Sequence, residues 1–258
     1  MNSTWSPQRN PLPILLAFAL ALAWLAGCAG YRPPYPAGTY QRAAALREHG
    51  QYQLAVDAYS DFLQRHPADS LADRAELEKA LTLMHLKEYP LAAVELQILR
   101  KEYPTSPLLP EALYQEGRAY LLQVGRVERD ISPAFEARRR FRQLLDLYPT
   151  HPRAEAARQA LVDISDLVVR KKMGQADLYR RLHRDNAAAV VLDRLLESET
   201  ETRLRDRVLW ERAQTALALA DTATAVRRLD QLLADFPDSS LHDTAADLRR
   251  RLGASPAS

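Results

Sequence analysis

The chain holds one cysteine, Cys28, at the end of an apolar run. A lone thiol has no intrachain disulfide partner, so it is either a structural residue or part of a processing site. A short polar start with Arg9, an apolar stretch from Leu12 to Ala26, and small residues before the cut are the parts of a secretory signal. An uncleaved anchor competes, but it needs about 20 consecutive apolar residues. Leu12–Ala26 supplies 15, interrupted by Pro13. The other chemistry-bearing residues do not converge. No HExxH, CxxC, GxSxG or GxGxxG occurs, and His49, His66, His85, His151, His183 and His242 are scattered, so neither a metal site nor an enzyme is expected. His183-Arg184-Asp185 imitates a kinase tripeptide, but Val190 stands at the required asparagine position and no glycine loop precedes it.

Leu25-Ala26-Gly27-Cys28 resembles a bacterial lipobox, after which the cysteine becomes the lipidated first residue of the mature protein. The resemblance implies loss of the signal peptide, residues 1–27, and attachment by several acyl chains, where a single chain would hold only marginally. Lipid on Cys28 is the only covalent group expected, and no cofactor is. Ala29, not aspartate, follows the cysteine; by analogy with enterobacteria-like sorting this favours the outer membrane, on its periplasmic face.

Removing residues 1–27 takes away one arginine and no acid, moving the formal charge from +2 to +1. With 26% charged residues and no net excess, there is no electrostatic case for nucleic acid. Arg138-Arg139-Arg140, Arg170-Lys171-Lys172 and Arg249-Arg250-Arg251 have acids nearby and read as solvated helix faces. Residues 28–38 are rich in proline and glycine and are expected to form an extended tether.

Behind the tether one register fits five times. Second-helix alanines stand at Ala55, Ala92, Ala137, Ala188 and Ala225. Large apolar residues follow four and seven positions on, at Tyr59, Leu96, Phe141, Leu192 and Leu229, then Phe62, Leu99, Leu144, Leu195 and Leu232. Stops fall at Pro67, Pro104, Pro149, Thr200 and Pro237. Small residues Ala43, Ala80, Gly117, Ala176 and Ala213 occupy the first helices, with an insertion around Val124–Ile131 in repeat three. Offsets of four and seven share a helix face, so each pair carries a stripe it buries only against neighbours.

These motifs resemble tetratricopeptide repeats, with Gly50-Gln51-Tyr52-Gln53-Leu54-Ala55 and Glu116-Gly117-Arg118-Ala119-Tyr120 as the clearest segments. Repeat four departs, with Asp185 where repeats one and two carry Tyr52 and Tyr89, and Thr200 for proline. The expected fold is all-α, a right-handed superhelical solenoid of five tetratricopeptide-like helix pairs with an extra long helix between repeats three and four. The expected divisions are repeats one to three at 39–149, the connecting helix at 150–172, repeats four and five with a terminal helix at 173–252, and a disordered tail at 253–258.

Lipobox, tether and repeats with Tyr-Pro stops together resemble the BamD family of outer-membrane protein assembly lipoproteins. So does Val124-Gly125-Arg126-Val127-Glu128-Arg129-Asp130 ahead of Ala137-Arg138-Arg139-Arg140-Phe141-Arg142-Gln143-Leu144. The resemblance implies docking of the C-terminal half on the periplasmic domains of a BamA-like barrel-inserting subunit. It also implies that the N-terminal half receives the C-terminal signals of unfolded outer-membrane proteins. A type IV pilus pilotin and a generic envelope scaffold are the alternatives. First helices line the concave side of such a solenoid, so Tyr40, Arg47, Leu77, Tyr114 and Arg118 are the candidate peptide-binding residues. Tyrosine faces and arginine forks suit a terminal aromatic residue and its carboxylate. The competing reading makes Tyr40 and Tyr114 half-buried core residues and the arginines solvated.

Overall fold

The computed structural model describes residues 31–125 and 130–254; Cys28, the signal segment and residues 126–129 lie outside them. Eleven helices run through the described residues: α1 Tyr40–Glu48, α2 Tyr52–Arg65, α3 Ala72–His85, α4 Tyr89–Glu102, α5 Leu109–Gln123, α6 Ser132–Leu147, α7 Ala154–Arg181, α8 Asp185–Ser198, α9 Arg205–Ala218, α10 Thr222–Asp235 and α11 His242–Ala254. The fold is an all-α array of helix pairs, and none of these helices is long and apolar enough to cross a membrane.

The described residues form two compact units that meet between Ala75 and Glu76 in the sequence. In the first, Ala43 and Leu46 of α1 pack against Ala55, Tyr59 and Phe62 of α2, with Tyr40 at the edge. In the second, each helix from α4 onward packs mainly on the next in the chain. The register is that of the sequence. All five second-helix alanines are fully buried, and so, within 4% exposure, are the large residues four and seven positions later. Gly117 takes the small first-helix position in repeat three because a Cβ there would lie 2.7 Å from the Phe141 ring.

Helix ends follow two rules. First, each second helix ends at the residue before the stop: His66, Tyr103, Tyr148, Glu199 and Phe236 leave helical dihedrals with ψ between 55° and 66°. Proline bars its predecessor from the helical region, which accounts for four of the five. Second, four first helices close with a left-handed residue: Gly50, Lys87, His183 and Ala220, at φ 72°, 63°, 54° and 58°. In each, the next N–H reaches back five residues, as Gln51 does to Leu46 and Asp221 to Ala216, both at 2.9 Å. These are Schellman closures. His183 thus ends α7, and Arg184-Asp185 begins α8, so the kinase-like tripeptide is a helix junction.

Three expectations on organisation change. The connecting helix does not end at 172: α7 is a single helix of 28 residues whose C-terminal part, with Ala176, is the first helix of repeat four. Nothing there stops a helix, since Gly174 costs only about 1 kcal/mol while Val168, Val169 and Ala176 on the same helix are buried. Residues 253 and 254 continue α11 rather than starting a tail, while 255–258 lie outside the described residues. The part of the tether that is described, 31–38, is not a free leash. Tyr31 stacks on His49 with ring centroids 3.5 Å apart and planes 5° from parallel. With its amide turned to match both partners, Gln51 donates to the Tyr31 carbonyl at 2.9 Å and accepts from its N–H at 2.7 Å. Further along, Arg42 donates to the Tyr35 carbonyl at 3.1 Å, and the Thr39 hydroxyl donates to the Pro36 carbonyl at 2.8 Å.

Candidate functional site

The five peptide-binding candidates fall into different settings. Tyr40, in the first unit, is half-buried against the rings of Tyr59 and Phe62, 5.8 and 6.0 Å away. Arg47 is partly buried near the end of α1. Leu77 is 6% exposed and belongs to the core with Leu96 and Leu99, so it is not available to a peptide. Its position three before Ala80 faces the partner helix, because α4 covers that side. Tyr114 and Arg118, one turn apart on α5, do share a face. Tyr114 packs on Phe141 at 5.9 Å and carries the Arg153 guanidinium over its ring at 5.0 Å. Arg153 also clasps Glu111 through Nε at 2.9 Å and a terminal nitrogen at 3.1 Å. Burial would raise the Glu111 carboxyl, but hydrogen bonds from Arg153 and Gln115 outweigh it and hold it below the usual range. Arg118, exposed, donates to Gln115 at 3.0 Å. Along this face of α5 the Tyr114 ring, Arg118 and the exposed Leu122 follow one another at single-turn spacing.

Buried ionic joints fix the frame of the second unit. Glu116 of α5 is fully buried, yet it accepts from Arg100 of α4 at 2.5 Å and Arg140 of α6 at 2.7 Å. Asp193 of α8 receives Arg212 of α9 at 2.9 Å and Arg228 of α10 at 3.0 Å. The irregular stop of repeat four is a third joint. Glu199 replaces the aromatic residue, and its carboxylate takes both nitrogens of Arg138 at 3.0 and 2.8 Å and the Ser165 hydroxyl at 2.7 Å. Asp166, 2% exposed, accepts from the Thr202 hydroxyl at 2.6 Å, the Arg203 N–H at 2.9 Å and its Nε at 2.7 Å. Burial would raise Asp166, but these donors prevail and keep it below its ordinary value. Where proline is missing, tertiary hydrogen bonds end the helix. Of the family-like loop, Asp130 accepts from the Ser132 N–H at 2.9 Å and hydroxyl at 2.7 Å just ahead of α6.

A concavity with a largely apolar lining lies elsewhere, between α7 and α8. It is a groove of about 470 Å³ floored by Val168, Val191 and Leu195, with Tyr179 and Val190 on its walls. Lys172 and Arg194 stand among its lining residues, which include no acid. Val190 is 60% exposed. Spacing rules missed this groove because they mark the stripe that packs inward. The available signal was the unbroken apolar run Ala187–Leu192, wider than one helix face needs.

The chain is similar to known proteins along most of its length. The family model for YfiO, described as outer membrane lipoprotein, matches residues 34–203, and a tetratricopeptide-repeat model matches 207–239. An outer membrane protein assembly factor BamD of Vibrio cholerae is 22% identical over 84% of this chain and 97% of that one. That of Caulobacter vibrioides is 23% identical over 95% of this chain and 83% of its own. Among solved structures, PilW, a type IV pilus biogenesis factor, aligns over 80% of this chain and 96% of its own at 20% identity, with a TM-score of 0.37. With its repeats, its third-repeat insertion and a family match across two thirds of its length, the chain belongs to the YfiO (BamD) family of outer membrane lipoproteins.

Proposed function

We propose that this chain is a lipoprotein of the β-barrel assembly machinery, a non-enzymatic scaffold held to the periplasmic face of the outer membrane by lipid on Cys28. It docks on the periplasmic domains of a BamA-like barrel-inserting subunit and receives the C-terminal signals of unfolded outer-membrane proteins. Family membership and the assembly-factor names of its relatives support the role.

The α7–α8 groove, rather than the N-terminal half to which the resemblance assigned it, carries the reading of signal reception. A terminal aromatic side chain would bury itself against Val190, Val191 and Tyr179, the accessible apolar lining, gaining about 25 cal/mol per Å² of apolar surface. Its carboxylate would meet Lys172 and Arg194, with no acid among the lining residues to compete, in charge-assisted hydrogen bonds stronger than neutral ones. On the α5 face Arg118 is already engaged with Gln115.

Fluorescence anisotropy of the mature protein with a labelled outer-membrane C-terminal peptide tests the assignment. Val190→Asp, or amidation of the peptide's carboxylate, should weaken binding about tenfold, equivalent to ~1.4 kcal/mol. Arg118→Ala should leave affinity unchanged. Affinity that follows Tyr114 and Arg118 instead would return the site to α5. Absence of a barrel protein with periplasmic domains from detergent pull-downs of the native lipoprotein would count against docking.

A further inference from the structure

The fold of residues 31–38 sets how far the first unit stands from its anchor. Tyr31 is docked on the turn that joins α1 and α2, through the His49 stack and both Gln51 hydrogen bonds. The segment is held again at Tyr35 and Pro36 on its way to α1. Only Ala29 and Gly30 separate Cys28 from Tyr31. Three Cα steps span at most about 11 Å, whereas an undocked chain from Cys28 to Thr39 would reach about 40 Å. The interfacial layer of a bilayer is itself roughly 5–8 Å deep on each side.

We infer that the α1–α2 turn of the first unit rests on the lipid headgroup layer of the membrane that holds the anchor. The inference builds on the lipid-anchor reading of Cys28. The groups around that end suit such a surface. Tyr31 and Tyr35 are amphipathic rings of the kind favoured at membrane interfaces, with Tyr35 42% exposed. Arg32 is exposed beside them and can hydrogen-bond lipid phosphate. Long-range charge contributes little. Residues 31–75 carry five arginines (32, 42, 47, 65 and 74) against five acids (48, 57, 61, 69 and 73). The short tether, rather than attraction to anionic lipid, holds the turn in place, so the apposition persists on neutral vesicles. The far end of α2 lies about 20 Å from the turn, since the helix has 14 residues, and on this inference it is the end further from the lipid.

The test uses the full-length lipidated protein in phosphatidylethanolamine–phosphatidylglycerol vesicles. An environment-sensitive fluorophore is placed at Glu48→Cys, beside the turn, or at Ala68→Cys, beyond the end of α2; both positions are exposed. A lipid with a headgroup nitroxide should quench the probe at 48 several-fold more than the one at 68, and equally so in phosphatidylcholine vesicles. Inserting ~15 Gly-Ser residues between Gly30 and Tyr31, a span of roughly 20 Å, should abolish the difference while the protein still floats with vesicles. Tyr31→Ala, which frees the segment without touching a helix, should reduce it. Equal quenching at the two positions, or quenching at 48 indifferent to the insertion, overturns the inference with the anchor intact. A mass spectrum of the native protein showing Cys28 without acyl chains would instead overturn the anchor reading and the inference with it.

Discussion

One proton governs a contact between α3 and α4. Glu76 of α3 is 5% exposed; burial foremost, then the neighbouring Glu95, pushes its carboxyl up to about 8. Burial would raise Glu95 as well, but hydrogen bonds from Glu76 and Lys79 hold it below the ordinary value. Lys79 lies 2.8 Å from Glu95. Near neutrality Glu76 therefore keeps its proton while Glu95 is ionised. Its folded-state affinity for protons exceeds the unfolded one, so the associated stability is fully present below pH 4.5 and is lost as pH rises through about 8. Replacing Glu76 with glutamine mimics the protonated form. Glu76→Gln should therefore raise the melting temperature at pH 8.5 and change it little at pH 5; each kcal/mol corresponds to about 2–4 °C in a chain of this size. A shift of the same size at both pH values in a thermal-denaturation series would show that the proton is not held there.

The Schellman closures make the best comparison between helices, because four copies of one turn carry different residues at the left-handed position. Glycine adopts that conformation freely, while an L side chain there costs about 1–2 kcal/mol. Ala220 is exposed and at φ 58°, so Ala220→Gly loses no packing and should stabilise by about 0.5–1 kcal/mol, less the extra freedom given to the unfolded chain. Gly50→Ala should do the reverse: a Cβ there meets nothing within 4 Å, leaving conformation as the whole cost. Chemical denaturation of the two variants checks both signs. Elements of this kind were legible where the information is local. Pro67, Pro104, Pro149 and Pro237 marked their helix ends because proline acts on its own neighbour, and the buried alanines were visible in the spacing. The closure at Lys87 or Ala220 was not, since neither residue advertises a left-handed backbone. Nor were Glu199 or the α7–α8 groove, whose meaning depends on side chains brought from tens of residues away. Of the five peptide-binding candidates, Leu77 was misjudged because spacing alone does not say which side of a helix its neighbour covers.

Across the second unit the helices cannot be divided at the connection that the sequence suggested. Ala157 and Ile164 of α7 complete the core that holds Leu113, Phe141 and Leu144, while Val168, Val169 and Ala176 of the same helix join the core of repeats four and five. Truncation after Pro149 should therefore leave an apolar face bare. Such a fragment should lose its cooperative unfolding transition and aggregate, whereas one extended through His183 should regain the core under α6. Circular dichroism melts of the two fragments decide this; a sharp transition in the shorter one would mean that α7 is dispensable. The stop of repeat four also has a kinetic consequence. Most contacts in this unit are between helices adjacent in the chain, an arrangement of low contact order that favours fast local folding. The proline stops need no partner and act as soon as the chain is made. The bond from Arg138 to Glu199 spans 61 residues, and loop closure precedes any gain from it. The end of α8 should thus be among the last features to settle, and during folding its register is set only after α6 and α7 have come together.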